Sequence, residues 1–267
     1  MPELTLFNNG PQKQYTKEMK NRFGYYAAWD PGIPCALGDI GVLKNNVFTR
    51  LGSLTEQGIP FEALLDTTPV DMDYESRGSV TTTLKASGAA TPTGSGLGQL
   101  DAGIIIEFSK ANAVVFRAQS CLTHQLKDTI RLGAAVLEQF RAGRWDKNWV
   151  VITSLVEAKS ATIVISKQAQ GKIELKATAN ISAPKLDVAD GSFAFAQSFV
   201  RGIDTKIIAQ AGLTPLFNVM GIKNTLFAPP AFKVQGVDGM SRLTPQLATD
   251  DLKDSISFGY ITSTPNQ

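Results

Sequence analysis

Three stretches of this chain alternate apolar and polar residues with a period of two, and a chain with that habit must build half-buried sheets. In Val80–Ser87, Val80, Thr82, Leu84 and Ala86 share one face, and Thr81, Thr83, Lys85 and Ser87 the other. Ala161, Ile163 and Ile165 alternate with Thr162, Val164 and Ser166. Ile173, Leu175 and Ala177 alternate with Lys172, Glu174, Lys176 and Thr178. Successive strand side chains point to opposite sides of the sheet, so each stretch predicts an amphipathic strand.

The intervening sequence extends this pattern. Asp101–Phe108 and Ala111–Gln119 flank Ser109-Lys110 and read as a hairpin. Trp149–Val156 is apolar and β-branched, and with the two stretches that follow it predicts a three-stranded meander. Nearer the start, Asp30-Pro31-Gly32-Ile33-Pro34 is a turn. Gly38–Leu43 and Val47–Leu54, joined by Asn45-Asn46, then form a second hairpin. A short amphipathic helix opens residues 11–29, and Leu122–Phe140 is the clearest helix. Its stripe is Leu126, Ile130, Ala134, Leu137 and Phe140, with Gly143 as its stop. Ser192–Val200 and Lys206–Ala211 supply further strands, and another apolar stretch runs from Leu213 to near Phe227. The fold class is α+β, with sheet predominating.

Beyond Ala228 the character changes. Pro229-Pro230, Gly236, Gly239 and Pro245 mark an extended connector up to Thr249. The expected organisation is a body at 1–233, a linker at 234–249 and a tail at 250–267. Asp250, Asp251, Lys253 and Asp254 give that tail a net charge of −2, in a chain whose total is +2. Ile256, Phe258, Tyr260 and Thr262 alternate with Ser255, Ser257, Gly259 and Ile261, which predicts one last strand.

Composition narrows the function. With 43% hydrophobic and 19% charged residues the chain has material for a core. A net charge of +2 leaves no basic footprint for nucleic acid. The longest apolar runs, such as Gly103–Ile106 and Trp149–Ile152, fall far short of the about 20 residues a spanning helix needs. Met1-Pro2-Glu3-Leu4 does not open a secretory signal, so the expectation is a cytoplasmic chain. Two cysteines, Cys35 and Cys121, and one histidine, His124, make no zinc set and no disulfide framework. No metal and no cofactor are expected.

Catalytic patterns fare no better. Thr93-Gly94-Ser95-Gly96-Leu97-Gly98 lacks the glycine spacing of a dinucleotide loop, and no Walker lysine follows it. Cys121 and His124 lie three residues apart without a visible oxyanion site. Asp39, Glu107 and Glu157 each read as solvated strand or turn residues rather than as a carboxylate pair. The expectation is a chain with no catalytic residues, not an enzyme.

Amphipathic strands have one further use. Closed into a barrel with neighbours from other copies, they pair every backbone group while presenting one apolar and one polar face, which is what a membrane-spanning sheet requires. Each strand then needs about 9–11 residues, reached by recruiting adjoining Gly, Ala and Ser. The candidates are Val80, Thr82, Leu84, Ile104, Ile106, Val115, Ile163, Ile165, Ile173 and Leu175.

In its size, its Tyr25–Leu54 module with Gly38-Asp39-Ile40-Gly41, and its strand pairs separated by the Leu122–Phe140 helix, the chain resembles the bacterial gasdermins. The Trp149-Val150-Val151-Ile152-Thr153 strand and the short tail add to the likeness. That resemblance implies a gasdermin-like N-terminal domain fold: a twisted central antiparallel β-sheet flanked by helices. It implies a monomer held inactive by its tail and cut near the C-terminus by an activating protease. The body then enters the inner-membrane lipid and assembles as a homo-oligomer into a large β-barrel pore that kills the infected cell in anti-phage defence. Arg242, Leu243 and Leu247 are the expected residues before the cut, and Ile256, Phe258 and Tyr260 the expected tail contacts. Gasdermins of bacteria commonly carry an acylated cysteine within the first few residues, whereas Cys35 is the first here and is expected to stay unlipidated. The alternative is a non-enzymatic β-rich binding or structural protein whose tail is its last strand.

Overall fold

The computed structural model describes residues 10–93, 95–166, 168–177, 193–194, 205–224 and 256–261. In chain order these form α1 (Gly10–Phe23), β1 (Tyr26–Ala27), β2 (Asp39–Lys44), β3 (Val47–Ser53), β4 (Ala63–Leu64) and β5 (Val70–Glu75). Next come β6 (Val80–Lys85), β7 (Gly103–Phe108), β8 (Val114–Leu126), α2 (Thr129–Arg141) and β9 (Trp149–Ser166). β10 (Gly171–Ala177), β11 (Phe193–Ala194), β12 (Thr205–Asn224) and β13 (Ile256–Tyr260) complete them. The fold is α+β, strand-rich and antiparallel throughout its pairings.

β9 is the spine of the larger sheet. β12 lies along one edge, from Thr205 opposite Ser166 to Gly221 opposite Val150. β8 and then β2 share the other edge. The expected break between Val156 and Ala161 does not occur. Neither Gly nor Pro stands there, and the intervening Glu157 and Lys159 turn outward while Ala158 and Ser160 are buried. The alternation therefore continues through what the polar residues make look like a loop. β12 is likewise one strand, bent by a register shift between Leu213 and Leu216. Gly212 supplies the left-handed φ of +67° at that bend.

The smaller sheet runs β11-β10-β7-β6. Its presence corrects two expectations. β7 and β8 are not a hairpin, because β7 pairs with β6 and β10 whereas β8 pairs with β9. β10 is not the third strand of a meander on β9 but crosses to β7. Period two specifies which face of a strand is buried and leaves its partner open. The cross-strand sets Phe108/Ile106/Ile104 and Gly171/Ile173/Leu175 turn one apolar face inward. There they share a buried cluster with Val115 and Val164 of the larger sheet.

Two helices cover the larger sheet. Tyr15 and Met19 of α1 lie in one cluster with Phe116, Val156, Ile163 and Leu213. Leu132 and Val136 of α2 share another with Ile40, Leu54, Val151 and Ile222. α2 starts at Thr129 rather than Leu122, because residues 122–126 continue β8. Asp128 caps it, accepting a hydrogen bond from the Arg131 N–H at 2.8 Å. The buried face also departs from the expected stripe: Leu132, Gly133 and Val136 are buried, whereas Ala134 is exposed and Ile130 is 87% exposed. The hairpin β2–β3 matches its expected form, with Asn45 and Asn46 at φ 52° and 63° in its tight turn.

The glycine-rich connection between β6 and β7 folds back over the polar face of the small sheet. Glu174 receives the Gly96 N–H on one carboxylate oxygen and meets Lys172 Nζ at 2.7 Å with the other. Lys85 Nζ donates to the carbonyls of Gln99 and Asp101 at 3.1 and 2.7 Å. Burial pushes the Glu174 carboxyl up, but Lys172, the Gly96 N–H and Ser95 outweigh it and hold it below the usual carboxylate range. Its contribution to stability is therefore complete above the unfolded value of about 4.3 and is lost as pH falls through the lower folded value. Protection factors of residues 95–101, taken relative to intrinsic exchange at each pH, are expected to fall below about pH 4. Glu174→Gln should bring much of that loss of protection to neutral pH.

Candidate functional site

The C-terminal strand and its seat form the candidate site. β13 adds to the outer edge of β12, with Tyr260 opposite Met220, Phe258 opposite Ile222 and Ile256 opposite Asn224. Phe258 packs into the α2 cluster beside Trp145, Trp149 and Ile222. It lies over Gly133, where an added Cβ would stand 3.2 Å from the Phe258 Cβ. Gly133 is thus a notch cut for that ring. Ile261 joins a separate cluster containing Tyr26, Phe217 and Val219. Its N–H donates to the Val219 carbonyl at 3.2 Å, and its carbonyl accepts from the Tyr26 hydroxyl at 2.8 Å. Lys20 of α1 stacks on the Tyr26 ring at 3.9 Å and donates to Asn218 Oδ1 at 3.4 Å. Burial lowers its pKa. The tail end is thereby tied directly to β1, β12 and α2, and Lys20 links β1 and β12 in turn to α1.

Of the expected tail contacts, Phe258 lies in a core cluster, Tyr260 is half exposed, and Ile256 is placed by its backbone pairing. Gly133, Tyr26 and Ile261 were not expected. The expected linker 234–249, with Arg242, Leu243 and Leu247, lies outside the described residues.

The strand residues named for a membrane role divide into three sets. Ile104, Ile106, Val115, Ile173 and Leu175 share the cluster between the sheets, with Val80 packed against it. Ile163 and Ile165 lie under α1. Thr82 and Leu84 are exposed on β6, the edge of the small sheet.

The considered catalytic residues are accounted for by local contacts. Cys121 is buried, and its neighbour in sequence, His124, turns instead to Glu157 (Nε2 to Oε2, 3.4 Å) and to the Asp66 N–H, which Nδ1 accepts at 3.1 Å. Asp39 holds Arg50 at 2.7 Å and the Ala36 N–H at 2.9 Å, closing the β2–β3 module. Glu107 is an exposed strand residue opposite Thr81 and Lys172. The glycine stretch cradles the chain's own Glu174 carboxylate. Among the described residues no His/Cys/Asp/Glu group is arranged to hold a metal.

Cys35 is partly buried, and burial together with the Asp39 carboxylate pushes its thiol up to about 11. Burial and the carboxylates of Asp71 and Asp73 push Cys121 up to about 12. At neutral pH less than about one thiol in a thousand is then a thiolate. Iodoacetamide is expected to label the native protein at least tenfold more slowly than the unfolded chain, and intact mass to show no acyl group on Cys35. Rapid native labelling or an added acyl mass would contradict this.

No protein-family model matches the chain, and no curated protein shows significant similarity to it. Among the described residues, no helix is long and apolar enough to cross a membrane, which does not bear on crossing by strands.

Proposed function

We propose that this chain is an autoinhibited, gasdermin-like pore former released by proteolytic removal of its tail. The observation that carries the reading is the placement of β13. Asn224 and Ile256 are direct partners across the β12–β13 pair, yet residues 225–255 connect them. A hairpin needs only two to five residues. So long a connection is not required by the fold, and it contains the Gly/Pro-rich stretch where a protease acts. Once cut there, β13 loses the effective concentration that the tether supplies and is held only by its own contacts.

The body has the parts such a transition needs. β6, β7 and β10 form a sheet whose apolar face packs against Val164 of β9, and the β6–β7 connection is uncharged from Ala86 to Leu100, so it can lengthen both strands without desolvating a charge. The intact form is a cytoplasmic monomer. The cut form binds the inner membrane, assembles with other copies and permeabilises the cell in defence against phage. Its partners are the activating protease, membrane lipid and itself. The reading invokes neither catalysis nor a cofactor.

Inducible expression of residues 1–247 in bacteria, against the full chain, tests this through propidium uptake. The shorter chain is expected to admit dye within minutes and the full chain to exclude it. Accumulation of the shorter chain with the membrane sealed would overturn the proposal. Aggregation without dye entry would favour the alternative, in which β13 is only the last strand of a β-rich binding or structural protein.

A further inference from the structure

A cleft of about 610 Å³ opens between residues 59–62 and the start of α2, within the size range of small-molecule sites. Its floor is apolar: Ile59, Phe61, Leu126, Leu132 and Ala135. Four charged residues stand at its mouth, and three are already engaged. Glu62 and Lys127 pair at 2.8 Å, and Asp128 is occupied as the cap of α2. Arg131 remains. It stands near enough to Glu62 to influence its carboxyl but makes no ion pair with any described residue.

We infer that this cleft binds an amphipathic monoanion, an aliphatic carboxylate whose chain covers the floor and whose head group meets Arg131. The guanidinium fork matches a single carboxylate. Glu62 and Asp128 at the same mouth disfavour a second negative charge, so a phosphate head is the poorer fit. The inference stands on the cleft alone and does not depend on the pore reading.

Calorimetric titration of the full chain with decanoate, kept below its micellar range, tests it. One saturable site is expected, with no binding of acetate and at least tenfold weaker binding of decanol. Arg131→Gln should weaken decanoate at least tenfold, and Ala135→Phe, which fills the floor, should abolish it. A far-UV spectrum checks that Ala135→Phe is folded; if it is not, the Arg131→Gln and decanol comparisons decide. Absence of binding, or equal binding in folded Ala135→Phe or in Arg131→Gln, would overturn the site. Decyl phosphate binding more tightly than decanoate would overturn the carboxylate assignment.

Discussion

Phe258→Ala is expected to loosen the C-terminal strand by about 2–3 kcal/mol, somewhat below the range for a fully buried aromatic because Phe258 is only partly covered. Hydrogen exchange reads this directly: amides of β13 should lose most of their protection while those of β9 and α2 keep theirs. A second substitution separates the seat from the strand. Gly133→Leu places its Cβ 3.2 Å from that of Phe258 and extends a side chain into the notch. Leucine is also a better helix former than glycine by about 0.8 kcal/mol. The variant should therefore strengthen α2 locally while evicting Phe258, and a merely destabilised protein would not show that opposition. Tyr26→Phe, which removes the hydrogen bond to the Ile261 carbonyl, should cost about 1 kcal/mol. If the tail is a lock, Phe258→Ala and Gly133→Leu also leak dye from vesicles without being cut. If it is simply a last strand, both lower the melting temperature of the whole and leave vesicles sealed.

Gly41→Ala should be worse for folding than any substitution in the tail. A Cβ there would overlap the Thr49 carbonyl oxygen and stand 2.6 Å from two ring carbons of Phe48. The residue sits at the register shift of the β2–β3 hairpin while also pairing with Val150 of β9, so backbone is fixed on both sides. A rigid overlap of this kind costs about 3 kcal/mol or more. Urea denaturation should show that loss, or the protein should fail to accumulate. Gly58→Ala is the control. Its added Cβ meets nothing within 4 Å, although φ is +69°, so it should cost only the about 1–2 kcal/mol of left-handed strain. Equal losses at the two positions would mean that close packing at Gly41 is not what its glycine provides.

These contrasts also explain which parts of the fold could be read from sequence. The β2–β3 hairpin was legible because its turn chemistry is local: Asn45-Asn46 can adopt the left-handed turn that joins two short strands. The last strand was legible from the alternation of Ile256, Phe258 and Tyr260 with Ser257 and Gly259. β9 reads as two strands because Glu157 and Lys159 resemble a loop, when they are the outward members of an unbroken alternation. The start of α2 is hidden because Leu122, Leu126 and Ile130 fit a helical spacing, and the capping Asp128 between them is the better signal. β5 is hidden although Val70, Met72 and Tyr74 alternate with Asp71, Asp73 and Glu75; three acids mask the pattern. The allocation of β7 and β10 to a second sheet was not legible at all, since alternation does not name a partner. In the candidate site Phe258 could be anticipated as an apolar anchor. Gly133 and Tyr26 could not, because each matters only through a contact with a residue more than a hundred positions away.

The most direct test of the tail-gated reading is dye release from anionic liposomes by purified protein carrying an engineered protease site near Leu247. The same sample is measured intact and after cleavage verified by mass. The account predicts sealed vesicles with the intact chain and rapid release after the cut, with the cut body sedimenting with lipid as an oligomer. A fully cut, soluble and monomeric protein that leaves the vesicles sealed would contradict it.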